Sequence, residues 1–250
     1  AERAIDFGTS TKDPRGQGYG LAMKALIAMT ADDFEPAMDL AEQAVSVSRA
    51  VFEKTIATTA RISVLVPLNR PGAEQDVRNW LANCQKQNWS LFVVGPECWL
   101  GVALATGGRI DDGLRAIEAA IAHRETEGFV AAADWSRLYL CELYLAILSG
   151  EGEASFSTLV NNFRSLARVR FLGAGQIEAM VAKVRSNRQF DPNGHYIART
   201  EMILGLLYKL KKQRAKATQH LTEARRIFQT TGPSAVLTRI EKALADVAAA

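Results

Sequence analysis

Three histidines, three cysteines and two pairs of adjacent carboxylates are the side chains of this sequence best suited to chemistry, and their spacing decides what they can do. His123, His195 and His220 are scattered, and none stands three or four residues from another histidine or a cysteine, as metal ligation from a helix face requires. Cys84, Cys98 and Cys141 are odd in number and lack Cys-x-x-Cys spacing, which argues against a disulfide framework or a zinc knuckle and favours a reducing compartment. Asp32-Asp33 and Asp111-Asp112 could hold a cation or run acid–base chemistry, but each pair stands where a helix would begin, and complementing the positive helix end accounts for both. Gly173-Ala174-Gly175 shares two glycines with a phosphate-binding loop, yet no strand precedes it and the third glycine is missing, so it reads as a turn. The sequence has no P-loop and no nucleophile elbow. The expectation is a chain with no catalytic residues, no metal and no cofactor.

Binding is the remaining class of function. Thirty Lys and Arg against twenty-seven Asp and Glu leave a net charge of +3, which calls for neither nucleic acid nor an anionic membrane. The densest basic cluster, Lys209, Lys211, Lys212, Arg214 and Lys216, spans an expected turn and reads as solvated. Asn88-Trp89-Ser90 matches a glycan acceptor, but the N-terminus carries no secretory signal, so the match has no consequence and a cytoplasmic location is expected. The longest apolar stretch, 91–105, holds Pro96 and Glu97 and falls short of the roughly 20 residues of a spanning helix.

The elements that must carry any binding surface are helices. Apolar residues recur at three- and four-residue steps over 18–31, 33–48, 50–66, 74–87, 91–106, 111–127, 129–148, 154–170, 176–186, 195–211, 213–230 and 234–248. No segment alternates with period two, so no sheet is expected. Short turns join the helices: Gly107-Gly108 before Asp111-Asp112, Ser149-Gly150-Glu151-Gly152, Asp191-Pro192-Asn193-Gly194, Thr231-Gly232-Pro233-Ser234, and Asp32-Asp33-Phe34-Glu35-Pro36 as a capped helix start. Residues 1–17, crowded with Gly, Ser, Thr, Lys and Pro14, are expected to be a ragged segment, and the start reads as that of a piece cut from a longer protein.

A repeat runs through the helices. Gly101 is followed at fixed offsets by Gly113, Ile117 and Ala120, and Gly205 by Ala217, Leu221 and Ala224 at the same offsets. The small residues mark points where two helices cross closely, and the large one fills the gap to its partner, as in tetratricopeptide (TPR) units. Gly101 and Gly205 lie 104 residues apart, three units of about 34 with two residues to spare. Ala25, Ala37, Ala41 and Ala44 form a weaker copy. Residues 18–250 are therefore expected to form one all-α domain, a right-handed superhelix of four to six antiparallel pairs, with 234–248 as its cap. In such an array the A helices line a groove. Cys98 and Val102, Trp135 and Glu142, and then Arg199, Met202 and Lys209 face it, with Trp135 as an aromatic anchor, or equally as core between repeats, and Arg199 and Lys209 as a clamp for a peptide carboxylate.

Segments 98–104, 108–110, 131–137 and 142–145, with Phe190-Asp191-Pro192-Asn193-Gly194 and 204–207, resemble the C-terminal helical-repeat region of large bacterial class III adenylate cyclase-like proteins. The resemblance covers residues from about Gly18 and is most specific from Cys98. It implies an upstream cyclase domain and an ATPase-like domain in a cytoplasmic signalling protein. It carries over no catalytic residue, because the cyclase's metal-binding aspartates and the ATPase's phosphate loop have no counterpart here. The implied role is regulatory, with a peptide, a partner protein or the upstream domains in the groove and homodimerisation left open. The alternative is the small-ligand-sensing tail of an ATPase-type transcriptional activator.

Overall fold

A computed structural model describes residues 1–150 and 156–249. Among them the chain is all helical: α1 (Glu2–Ser10), α2 (Pro14–Thr30), α3 (Phe34–Val47), α4 (Val51–Leu65), α5 (Ala73–Lys86), α6 (Val94–Thr106), α7 (Ile110–Thr126), α8 (Val130–Ser149), α9 (Phe156–Asn161), α10 (Phe163–Arg185), α11 (His195–Leu210), α12 (Arg214–Phe228) and α13 (Ala235–Ala249). Short 3₁₀ turns, Ser90–Val93 and Gln229–Thr231, precede α6 and follow α12. Glu151, Gly152 and Ala154, placed above in a turn and a helix start, lie outside the described residues.

Among the described residues seven helix ends are closed by one device. A residue with positive φ ends the helix, and the next amide donates to the carbonyl five residues back: Asp13 to Gly8, Asp33 to Ala28, Arg70 to Leu65, Trp89 to Cys84, Arg109 to Leu104, Phe129 to Arg124 and Gln213 to Tyr208. This Schellman geometry satisfies carbonyls that the helix leaves open and turns the chain back along itself. Glycine fills the left-handed position at Gly108 and Gly128, whereas Lys12, Asp32, Asn69, Asn88 and Lys212 hold it elsewhere.

The chain packs as two compact units, Ala1–Ala103 and Leu104–Ala250, where one array over 18–250 is expected from sequence. In the first unit, α2 packs on α3 and α4 around Leu21, Ala22, Ala44, Ala57 and Ala60. Ala25, Ala37, Ala41 and Ala44 are fully buried, as helix crossing requires. Residues 1–17 are not ragged: they form α1 and the start of α2. The reason is three glycines at the contact. A Cβ on Gly8 would stand 2.3 Å from the Gln17 amide nitrogen, and one on Gly20 would stand 2.5 Å from Ile5 Cγ1.

In the second unit α7 packs on α8, α8 on α10 and α11, and α11 on α12, which α13 then covers. The repeat alignment is literal at Gly205: a Cβ there would lie 2.6 Å from Leu221 Cγ and 3.1 Å from the Leu221 amide nitrogen, so leucine seats on glycine. Ala217 and Ala224 beside it are fully buried. Gly113, Ile117 and Ala120 are buried in α7, while Gly101 is buried within the first unit. Gly173-Ala174-Gly175 corrects the sequence reading. It is no turn but the middle of α10, where Gly173 is buried and a Cβ on it would crowd Val169 Cγ1 of the same helix at 2.9 Å while meeting Tyr144 and Leu148 of α8 at an ordinary 3.6 Å. The break falls earlier, at Asn162.

Candidate functional site

The α8–α11–α13 face gathers most of the residues expected in a groove. Trp135, Tyr139 and Glu142 follow each other at steps of four and three along α8 and so share one side of that helix. Trp135 meets Tyr139 edge to face, with ring centroids 4.6 Å apart, and both are half-buried. The Arg199 guanidinium from α11 lies 5.8 Å from the Tyr139 centroid, in cation–π range. The same guanidinium donates to Glu142 through Nε at 2.5 Å and Nη2 at 3.2 Å. Arg239 of α13 approaches that carboxylate at 3.7 Å. Burial pushes Glu142 up, but the charges and hydrogen bonds of Arg199, and then Arg239, outweigh it and hold the carboxyl below its ordinary value. The ion pair is therefore fully charged at neutral pH.

This geometry changes the roles expected of three residues. Arg199 is not an open clamp for a ligand carboxylate, because Glu142 already occupies it bidentately and the arginine side chain is only 8% exposed. Met202 does not face a groove. It is fully buried in the α11–α12–α13 core with Leu221 and Ile240, where an apolar side chain gains most. Lys209 stands ten residues beyond Arg199 and is tied to Asp246 of α13. Trp135 with Tyr139 is the part of the expected groove that keeps solvent-accessible aromatic surface.

The other chemistry-bearing residues sort in the same way. Lys211 pairs with Glu178, Arg214 donates to the Ala248 carbonyl, and Lys216 lies over the Tyr208 ring, so the basic cluster is largely tied to its own domain. Asp112, at the start of α7, is held below its usual range by hydrogen bonds from Arg109 and then Arg115. Asp33 is the N-cap of α3 without a side-chain bond to the helix amides, and Glu35 in the first turn pairs instead with Arg70. Burial pushes the Cys84 and Cys141 thiols up, away from reactive thiolate. His123 is exposed beside Glu127, and His195 adjoins Tyr196, which stacks flat on Phe190. Among the described residues no three His, Cys, Asp or Glu side chains could hold a metal ion, and no helix is long and apolar enough to cross a membrane.

Two polar clusters escaped the sequence reading. The first clips α7, α8 and α10 together: Arg137 pairs with Asp134 at 2.5 Å and with Glu125, Glu125 also takes Lys183, and Asn187 donates to Asp134 at 2.7 Å. Apart from Arg137 and Asp134, neighbours on α8, its partners are 12 to 58 residues apart, so only tertiary structure joins them. The second borders a cleft of about 620 Å³ lined by Arg185, Ile197, Glu201, Gln219 and His220 among others. Glu201, nearly buried, accepts from Arg185 at 3.1 Å, and His220 Nδ1 lies 2.6 Å from its other oxygen. One signal was legible: Glu201 and His220 flank the Gly205–Leu221 crossing, so helices pressed together there must also bring these two into range. No family model, curated protein or solved structure matches the chain.

Proposed function

We propose that the chain is a non-catalytic regulatory and protein-interaction module of TPR-like helix pairs, which binds a peptide, a partner protein or the neighbouring domains of its parent. One observation carries this reading. Trp135 and Tyr139 offer a half-buried aromatic surface on α8, and the Glu142–Arg199 pair holds the charge beside it rigid. Such a surface loses little conformational freedom on binding, and aromatic and arginine side chains dominate binding energies at interfaces. The likeness of segments 98–104, 131–137 and 142–145 to the tail of class III adenylate cyclase-like proteins supports a parent that is a cytoplasmic signalling protein, in which this module senses or holds other domains and does not turn over substrate.

Two measurements test the proposal. The purified chain, given ATP and a divalent metal, is expected to form no cyclic AMP above the blank, and clear production overturns the non-catalytic assignment. The immobilised chain is expected to retain a protein partner through a high-salt wash. Trp135→Ala is expected to abolish that retention with the helical circular dichroism unchanged, and retention at the unsubstituted level removes the α8 face from the role.

The cleft beside Glu201 and His220 favours a second reading, in which the module senses a small ligand as the tail of an ATPase-type transcriptional activator does. A metabolite released when the purified chain is denatured supports it. A chain that native mass spectrometry shows to be empty after mild isolation counts against it.

A further inference from the structure

Among the described residues the most exposed large apolar side chain, Phe171, lies on the outer side of α10. Phe171 is 84% exposed, Phe163 72% and Leu172 59%, values far from the usual fate of large apolar side chains. At 100° per residue Arg164, Phe171, Gly175 and Ala182 fall on one line along the helix, with Phe163, Ala167 and Arg170 on one flank and Leu172 and Ala179 on the other. The opposite side of α10 is consumed by the core through Val169, Gly173, Ile177, Val181 and Val184. Gly175 differs from Gly173, since nothing lies within 4 Å of a Cβ placed on it. The line is thus an aromatic knob at Phe171 followed by a notch at Gly175, the relief into which a second helix packs ridge into groove.

Charge selects the occupant. From 157 to 177 the sequence has no Asp or Glu but has Arg164, Arg168 and Arg170. Arg168 is taken by Glu118, at 2.8 Å, while Arg164 and Arg170 are exposed, and among the described residues Arg170 reaches the Leu148 carbonyl at 3.3 Å. Glu178, the next carboxylate, is taken by Lys211. A second copy of the chain would bring like charges together along this ridge. Two arginines give an anionic bilayer only a weak electrostatic hold, short of stable anchoring. A carboxylate on a protein partner can instead engage each guanidinium in a bidentate pair. We infer that the outer face of α10 docks an amphipathic helix whose apolar stripe covers Phe171, Leu172 and Gly175 and whose flanks carry Glu or Asp facing Arg164 and Arg170. The inference rests on the protein-interaction reading above and names a surface and a partner chemistry for it.

The probe is a fluorescent peptide of about five helical turns with a leucine stripe flanked by glutamates. A matched peptide carries lysine in place of glutamate. The full chain is expected to bind the glutamate peptide, weakening as salt rises, and the lysine peptide at least about tenfold less tightly. The double substitution Arg164→Glu/Arg170→Glu is expected to reverse that preference. Gly175→Leu, which enters open space and so leaves the melting temperature unchanged or higher, is expected to weaken binding about tenfold or more by filling the notch. Equal affinity for the two peptides, or binding untouched by Gly175→Leu, overturns the proposal. So does sedimentation with phosphatidylserine vesicles that is lost in Phe171→Ser, which would assign the face to lipid. If these substitutions change nothing while Trp135→Ala abolishes partner retention, the α10 assignment fails and the interaction reading stands.

Discussion

At the residue scale, two glycines of neighbouring helices make opposite demands although both interrupt apolar stretches. Gly205 sits under Leu221, so even one added methyl must displace a side chain and press on the backbone of α12. Gly205→Ala is expected to destabilise the chain by about 1–3 kcal/mol through overpacking, despite alanine's better helix propensity. Gly175→Ala has open space and should instead stabilise by about 0.5–1 kcal/mol. Chemical denaturation of the two variants checks both signs. The titratable residues make a second prediction. Burial, and then the charge of Arg199, hold His195 below its ordinary 6.5, so the folded chain binds that proton less readily than the unfolded one. The resulting stability is complete above about pH 6.5 and is lost as pH falls through the lowered folded value. Glu142 works in the same sense further down: its contribution is complete above about pH 4.5 and is lost as pH falls through its depressed folded value. The melting temperature should fall in two stages on acidification, with His195→Gln flattening the upper stage and Glu142→Gln the lower. A profile of His195→Gln that parallels the unsubstituted chain as pH falls below about 6.5 would remove the histidine from this account.

At the scale of elements, the turn between α6 and α7 depends on a residue more than fifty positions away. Asn162, almost fully buried, accepts from the Asp111 amide at 2.9 Å and donates to the Gly108 carbonyl at 2.7 Å. It therefore pins the start of α7 to the end of α9. Asn162→Ala leaves a backbone donor and acceptor without these partners and should cost about 1–3 kcal/mol. Asn162→Asp should retain the bond accepted from Asp111 and lose the donated one, so its melting temperature is expected to lie between those of the alanine variant and the parent. Helix positions were legible in sequence because the apolar period is local, and every expected helix has a counterpart, with 154–170 and 176–186 merging largely into α10. The merger shows the limit. Glycines at 173 and 175 look like punctuation when read along the chain, yet both lie inside one continuous helix, Gly173 on its buried side and Gly175 on its exposed side. The reverse holds at Lys12 and Lys212, lysines that adopt the left-handed conformation glycine favours, so the side chain at the turning position itself does not announce it. α1 was missed for a related reason, since its one glycine, Gly8, serves contact with α2 and the periodic signal of a helix only nine residues long is weak.

On the scale of the whole molecule, the Gly205 to Leu221 offset was legible because one crossing geometry imposes one spacing. The polar face was only partly legible, because Glu142, Arg199 and Arg239 belong to three helices and nothing in the spacing of α8 states that Arg199 is already engaged. The division into Ala1–Ala103 and Leu104–Ala250 was not legible at all, since the boundary falls inside α6, between residues of an uninterrupted helical pattern. Each unit nonetheless has a core of its own, one built on Leu21, Ala44 and Ala60 and the other on Met202, Leu221 and Ile240. Local stability follows such cores, and amides open in cooperative groups that share them. Damage to the second core should therefore be felt within its own unit. In Gly205→Ala, hydrogen exchange followed by mass spectrometry is expected to accelerate in peptides from α11, α12 and α13, and to be unchanged in peptides from α2, α3 and α4. Equal acceleration in both sets would mean that the chain opens as one cooperative array and that the two cores do not define separate units of stability.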